Sequence, residues 1–132
     1  LAIGVLCVHN DRFVLIRRGQ EPLKNKWTVP GGVVEIGESL KQAAEREVYQ
    51  ECHIHIELDS FLDIYEHIDY EKNGDILFHY VIIEYLAHYK SGTLAAGSDS
   101  RDARWFRLDD LETVDTTDAT IKMIDKAMAP KD

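Results

Sequence analysis

The sequence predicts an α+β fold in which a mixed β-sheet lies between two main helices. Two observations lead to this prediction. Apolar, β-branched runs of strand length recur along the chain, and two other segments repeat their apolar residues at helical spacing. The 132 residues contain no internal repeat, low-complexity segment or linker, so we expect one domain over residues 1–132.

The amino-terminal part has the pattern of a β-hairpin. "LAIGVLCV" and "RFVLIRR" are apolar runs, and "HNDR" between them contains the turn pair Asn10-Asp11. After a polar loop, the short strand "WTV" ends at Pro30-Gly31-Gly32, where a sharp bend is expected. "VVE" is interpreted as a strand fragment beyond this bend.

The first helix is predicted to begin near Ser39, because Gln42 three residues later completes a capping box, and to end near Cys52. Two long strand-like runs then flank "EKNGD", whose Asn-Gly pair is a strong hairpin signal. "DARWFRL" is a further strand. A second helix is predicted over "TTDATIKMIDKAMA", which Pro130 would end.

Composition limits the partners. The net charge of −9 repels nucleic acid, and no apolar run reaches the ~20 residues that span a bilayer, so we expect neither a nucleic-acid nor a membrane partner. Leu1 is not followed by a secretion signal, which favours a cytoplasmic location. Cys7 and Cys52 are isolated, so we interpret both as buried apolar residues rather than as disulfide or zinc ligands.

Two acids in the first helix fall within its apolar stripe. The stripe consists of Leu40, Ala43, Ala44 and Val48. Either a slightly rotated helix leaves Glu47 and Glu51 in solvent or paired with Arg46 or Lys41, or both are buried around a divalent cation. Burying unpaired carboxylates costs several kcal/mol, which a cation removes. Oxygen ligands one turn apart suit Mg²⁺ or Mn²⁺ better than zinc.

The loop before the helix adds to the cation interpretation. Gly31-Gly32 can bring backbone carbonyls close to the acids because no Cβ intervenes. Glu38 is placed to meet Arg46 and to hold the loop on the helix. The segment is therefore predicted to be a rigid loop followed by a helix whose acids converge.

The segment "GGVVEIGESLKQAAEREVYQECHI" resembles the Nudix box, a pattern of Gly, five residues, Glu, seven residues, then Arg-Glu-apolar-any-Glu-Glu-any-Gly-apolar. The matching positions are Gly32, Glu38, Arg46, Glu47, Val48, Glu51 and Ile54. Gln50 and His53 depart from the pattern, where the family usually has Glu and Gly. The resemblance implies a Nudix-type α/β/α sandwich with a mixed central sheet and two main helices.

Most of the remaining chain is similar to the ADP-ribose pyrophosphatase-like branch of the family. This resemblance implies Mg²⁺-dependent hydrolysis of the phosphoanhydride bond of nucleoside diphosphate derivatives, with ADP-ribose giving AMP and ribose 5-phosphate. Two alternatives stay open, a hydrolase of oxidised nucleoside triphosphates and a catalytically weak nucleotide-binding module. The partner is in each case a small-molecule nucleotide, and the apolar strands leave room for a homodimer.

The resemblance also implies roles for individual residues. Metal ligands would be Glu47, Glu51 and the Gly31 carbonyl, with Gln50 as a peripheral or water-mediated ligand that adds no charge. The catalytic group would be Glu38, Arg46, Glu47, Glu51 and Asp99. Asp99 is the first candidate for the general base, and Asp102 and Glu51 are the alternatives.

Substrate contacts are predicted from one strand and one aromatic residue. Arg17 and Arg18 end a strand that should pass near the phosphates, yet only one of two adjacent residues can face the site, and Arg18 is favoured. Trp27 is placed either to stack on a base or to pack in the core.

Overall fold

The computed structural model describes residues 1–97 and 99–128. Its elements in chain order are β1 (Ala2–His9), β2 (Arg12–Arg18), β3 (Trp27–Thr28), β4 (Gly31–Val33), α1 (Leu40–Cys52), β5 (Ile54–Tyr70), β6 (Ile76–Gly92), β7 (Ser100–Phe106), a 3₁₀ helix (Leu108–Thr113) and α2 (Asp118–Met128). Pro130, the predicted end of the second helix, lies outside the described residues. The 3₁₀ helix was not predicted.

The strands form one mixed sheet with β1 at its centre. The main path runs β3-β2-β1-β6-β5, while β4 pairs with β1 and β7 pairs with β2. Strand β1 is antiparallel to β2 and β4 but parallel to β6. The mixed sheet with two main helices is therefore confirmed.

Two hydrophobic clusters lie on opposite faces of the sheet. The cluster between the sheet and α1 includes Ile3, Val5, Val14, Ile16, Ala44, Val48 and Ile54. The cluster between the sheet and α2 includes Leu6, Phe13, Leu15, Phe106, Met123 and Ile124. Side chains of β2 thus alternate between the two faces, as a strand requires.

Helix α1 is capped at both ends. The Ser39 hydroxyl accepts the Gln42 backbone N–H at 3.1 Å, and the Gln42 side chain accepts the Ser39 N–H at 2.9 Å, so the predicted capping box is confirmed. At the other end His53 adopts φ 61°, and its N–H bonds to the Tyr49 carbonyl. Histidine thus takes the left-handed position that the Nudix pattern gives to glycine.

Strands β5 and β6 form a long hairpin that extends beyond the rest of the sheet. The predicted turn is confirmed, since Gly74 has φ 92° between the paired strands. Strand β1 pairs with β6 only from Ile82 to His88, so residues 66–81, here called the distal hairpin, pair with each other alone. Neither helix in the described part of the chain has the length and apolarity needed to cross a membrane.

Candidate active site

Arg46 ties the β4–α1 loop to the helix. Its Nε and Nη2 atoms donate to the two carboxylate oxygens of Glu38, at 2.6 Å and 2.9 Å. Nη2 also donates to the Val33 carbonyl at 3.1 Å. The bonds to Arg46 lower the pKa of Glu38 and raise that of the guanidinium, as expected for a bidentate pair. The predicted contact between Glu38 and Arg46 is present.

Glu47 lies against the glycine loop. A Cβ atom on Gly32 would be 2.6 Å from the Cδ of Glu47, so glycine at residue 32 leaves the space that the Glu47 carboxylate occupies. Arg46 Nη1 donates to the carboxylate at 2.7 Å. Burial raises the pKa of Glu47, and the bond from Arg46 partly offsets this effect.

Glu51 is the buried acid of the pair. The residue is 6% exposed, and its Oε2 atom has no hydrogen-bond partner. Burial, followed by the charge of Glu47, raises its pKa to about 8, against the opposing effects of the Gly31 backbone N–H and the Arg18 charge. Glu47 therefore pairs with Arg46, as the first interpretation expects, while Glu51 is buried, and a cation beside it stays a prediction.

Gln50 points its amide towards the arginine. It is exposed, and its Oε1 accepts a bond from Arg46 Nη1 at 3.2 Å. Gly31 meets Glu51 through its backbone N–H, and a Cβ there would lie 2.1 Å from the Ile3 carbonyl oxygen. Metal-binding roles for the Gln50 amide and the Gly31 carbonyl stay predictions.

The two arginines of β2 separate as strand alternation requires. Arg18 follows Val14 and Ile16 on the face of α1, is half-buried, and donates from Nε to the Pro22 carbonyl at 2.7 Å. Its charge acts on Glu51 and lowers the pKa of that acid. Arg17 is exposed and lies on the side of α2 with Phe13 and Leu15, so the structure does not bring it to the acids.

Asp99 is a further acid whose charge acts on the acids of α1. Its side chain is exposed, and its charge raises the pKa of both Glu47 and Glu51. Asp102 is instead engaged by its neighbours. One of its oxygens accepts the Ala103 N–H, and the other lies 2.8 Å from Nε of Arg104. Of the two candidate bases in this segment, Asp99 is the one whose charge acts on the acids of α1.

Trp27 packs in the core on the side of α2. Its ring meets the edge of Phe106 with centroids 5.1 Å apart, and the Arg104 guanidinium lies 5.6 Å from its centroid. Stacking of Trp27 on a base beside the acids is therefore not supported, because strand alternation directs this ring away from α1. The core alternative describes its position.

Gly97 and Ser100, which were not predicted from the sequence, bind the segment of Asp99 to the end of α1. The Gly97 N–H and the Ser100 hydroxyl both donate to the Glu51 carbonyl. A glycine and a serine in a polar segment carry no signal of which distant helix they touch. Only the fold identifies them.

The acids fit a hard divalent cation that shares its coordination with other oxygens. No group of three or more His, Cys, Asp or Glu side chains in residues 1–97 and 99–128 is arranged to hold a metal ion. Mg²⁺ is commonly bound by one or two carboxylates with water and substrate phosphate supplying the rest. The orphaned Oε2 of Glu51 and the adjacent carboxylate of Glu47 match that pattern.

A mixed sheet lies between two helices, and a glycine loop packs against the acids of α1. This combination defines the Nudix class of proteins. Residues 1–127 match the family model described as the NUDIX domain, and the chain belongs to this family. A structure of the MutT NUDIX hydrolase from Burkholderia pseudomallei has a TM-score of 0.82 and 32% identity, with 96% of each chain covered.

Two other relatives have more specific names. An ADP-ribose pyrophosphatase of Methanocaldococcus jannaschii is 30% identical over 111 residues, covering 84% of this chain and 63% of that protein. The chain thus spans less than two thirds of the relative. A bifunctional NMN adenylyltransferase/ADP ribose pyrophosphatase of Francisella tularensis, complexed with AMP and a manganese ion, shares the fold at a TM-score of 0.71 and 19% identity, with 93% of this chain and 39% of that chain covered.

Proposed function

We propose that the chain is a Mg²⁺-dependent pyrophosphohydrolase of nucleoside diphosphate derivatives, with ADP-ribose hydrolysed to AMP and ribose 5-phosphate. The observation that carries this proposal is the buried, unpartnered Oε2 of Glu51 next to Glu47 on the helix of the Nudix box. The name of the M. jannaschii relative supports the choice of substrate.

Glu47, Glu51 and the Gly31 carbonyl would hold the cation, Mg²⁺ or Mn²⁺, with Gln50 acting through a bound water. When bound, the cation neutralises phosphate charge and lowers the pKa of a water molecule. Gln50 brings no negative charge. We therefore expect the site to bind fewer cations, or to bind them more weakly, than a Nudix box with glutamate at this position. The bidentate contact of Glu38 with Arg46 fixes the position of the loop relative to the acids of α1.

The other residues of the site have roles in the hydrolysis itself. Arg18 directs its positive charge towards the diphosphate from the strand beside Glu51. Asp99 accepts a proton from the attacking water, whose oxygen forms the new bond to phosphorus while the bridging P–O bond breaks. The leaving phosphate oxygen takes the electron pair, which gives two monophosphates.

A second candidate is hydrolysis of nucleoside triphosphates, the alternative that membership of the Nudix family leaves open. The test is incubation of the protein with Mg²⁺ and a panel of ADP-sugars and nucleoside triphosphates, followed by identification of the products. Release of AMP from ADP-ribose supports the proposal. Release of pyrophosphate from triphosphates alone supports the second candidate, and no turnover indicates a nucleotide-binding module.

We further propose that residues 1–132 act as one cytoplasmic domain that forms a homodimer through the distal hairpin. Large apolar side chains are exposed on this hairpin, namely Tyr70, Ile76, Leu77, Phe78 and Val81. A two-stranded ribbon with so much exposed apolar surface is only marginally stable alone in water, which favours its coverage by a second copy. Free, buried cysteines suit a reducing compartment.

A further inference from the structure

The segment between β6 and β7 is bonded to the carboxyl-terminal end of α1. The Ala95 N–H donates to the Cys52 carbonyl at 3.0 Å, and the Gly97 N–H donates to the Glu51 carbonyl at 2.9 Å. The Ser100 hydroxyl donates to that same Glu51 carbonyl at 2.9 Å. These bonds satisfy carbonyls that a helix end otherwise leaves without partners. We call Gly97 and Ser100 the clasp.

The clasp is tightly packed. A Cβ on Gly97 would lie 1.6 Å from the Gln50 carbonyl oxygen and 2.8 Å from the Glu51 Cα, so only glycine permits this approach. The Ser100 hydroxyl also accepts the Gly97 N–H at 3.0 Å, and Ser100 is 9% exposed. The two residues therefore form one buried network with the backbone of Glu51.

Asp99 lies directly beside Ser100 and is held from a second side. Its carbonyl accepts the Gly19 N–H at 3.3 Å, and Ser100 pairs with Arg18 in the sheet. The carboxylate of Asp99 acts on Glu47 and Glu51 electrostatically. Contacts with the β2 segment and with helix α1 thus fix the backbone of Asp99, the proposed base.

We propose that Ser100 is a positioning residue, which sets the distance between the Asp99 carboxylate and the acids of α1 by bonding to the backbone of Glu51 itself. This inference rests on the proposed hydrolysis. Loss of the hydroxyl frees the Asp99 segment from α1 and lowers the fraction of time in which the base is aligned. Turnover therefore falls, while substrate binding through Arg18 is unchanged.

The test is a double-mutant cycle on the substrate that the wild-type protein turns over. Ser100→Ala is expected to lower kcat about tenfold with KM within about twofold, because alignment and not binding is lost. In an Asp99→Asn background, the same change should lower kcat by less than about twofold, since Ser100 acts through Asp99. Thr116→Ala is the matched control, because it removes another long-range hydroxyl bond, to the Trp27 carbonyl of β3.

Equal losses of kcat in both backgrounds would overturn the proposal, as would a Ser100→Ala effect no larger than that of Thr116→Ala. If Ser100→Ala does not fold, Ser100→Cys carries the same test with a weak donor of similar size. A wild-type protein without turnover on any nucleotide contradicts the proposed function itself. An active wild-type protein with additive effects contradicts only the role of Ser100.

Discussion

Glu47 and Glu51 stand one turn apart on α1 yet have different surroundings. Glu47 shares the Arg46 guanidinium with Glu38, so its charge is partly balanced within the chain. Glu51 has no such partner and is buried under the glycine loop, where its ionised form is unfavourable. A cation beside Glu51 would restore the charged form, so this residue is the most sensitive point of the proposed site.

Glu51→Gln is expected to lower kcat at least ~100-fold while the protein remains folded, because the change removes a charge and a metal ligand but keeps the side-chain shape. Steady-state kinetics and circular dichroism measure the two effects. Glu45→Gln is the control, since Glu45 is an exposed acid of the same helix. Glu51→Gln activity within threefold of wild type would contradict the role.

The neighbouring arginines of β2 give a second matched pair. Arg18→Gln is expected to raise KM about tenfold or more, because Arg18 faces the acids and its positive charge is available to the diphosphate. Arg17→Gln should change KM less than about twofold, since that side chain lies on the opposite face. Equal effects in the two variants would show that the sheet face does not decide the contact.

At the scale of elements, α1 is fixed at its start by a reciprocal cap and at its end by the clasp. Ser39→Ala removes the hydroxyl that accepts the Gln42 N–H and should cost about 1 kcal/mol of unfolding free energy. Chemical denaturation measures this loss. Ser60→Ala is the control, because Ser60 is an exposed residue of β5, and it should change the free energy of unfolding by less than ~0.5 kcal/mol. Equal stabilities of the two variants would refute the contribution of the cap.

Local elements were predictable from the sequence because their signals are local. The capping box placed the start of α1 correctly, and the Asn-Gly pair placed the β5–β6 turn. The parallel pairing of β1 with β6 was not predictable, since it joins strands some 80 residues apart by packing alone. The side of the sheet on which the Trp27 ring lies and the contact of Ser100 with α1 likewise depend on packing between different elements.

For the molecule as a whole, the proposed assembly is a homodimer formed through the distal hairpin. If it forms the dimer interface, light scattering should show a dimer for the wild-type protein and a monomer for Leu77→Glu, because the charge enters an apolar contact. Leu108→Glu alters a comparably exposed leucine outside the hairpin and should leave the dimer intact. A monomeric wild-type protein, or a Leu77→Glu dimer, would exclude this interface.

The proposed hydrolysis depends on a divalent cation at the acids of α1, and anomalous diffraction from crystals grown with Mn²⁺ and AMP tests this most directly. We expect a manganese peak within coordination distance of the Glu51 and Glu47 carboxylates, with a phosphate oxygen of AMP among the ligands. The absence of any peak beside Glu51, in crystals that show bound AMP, would contradict the proposed site.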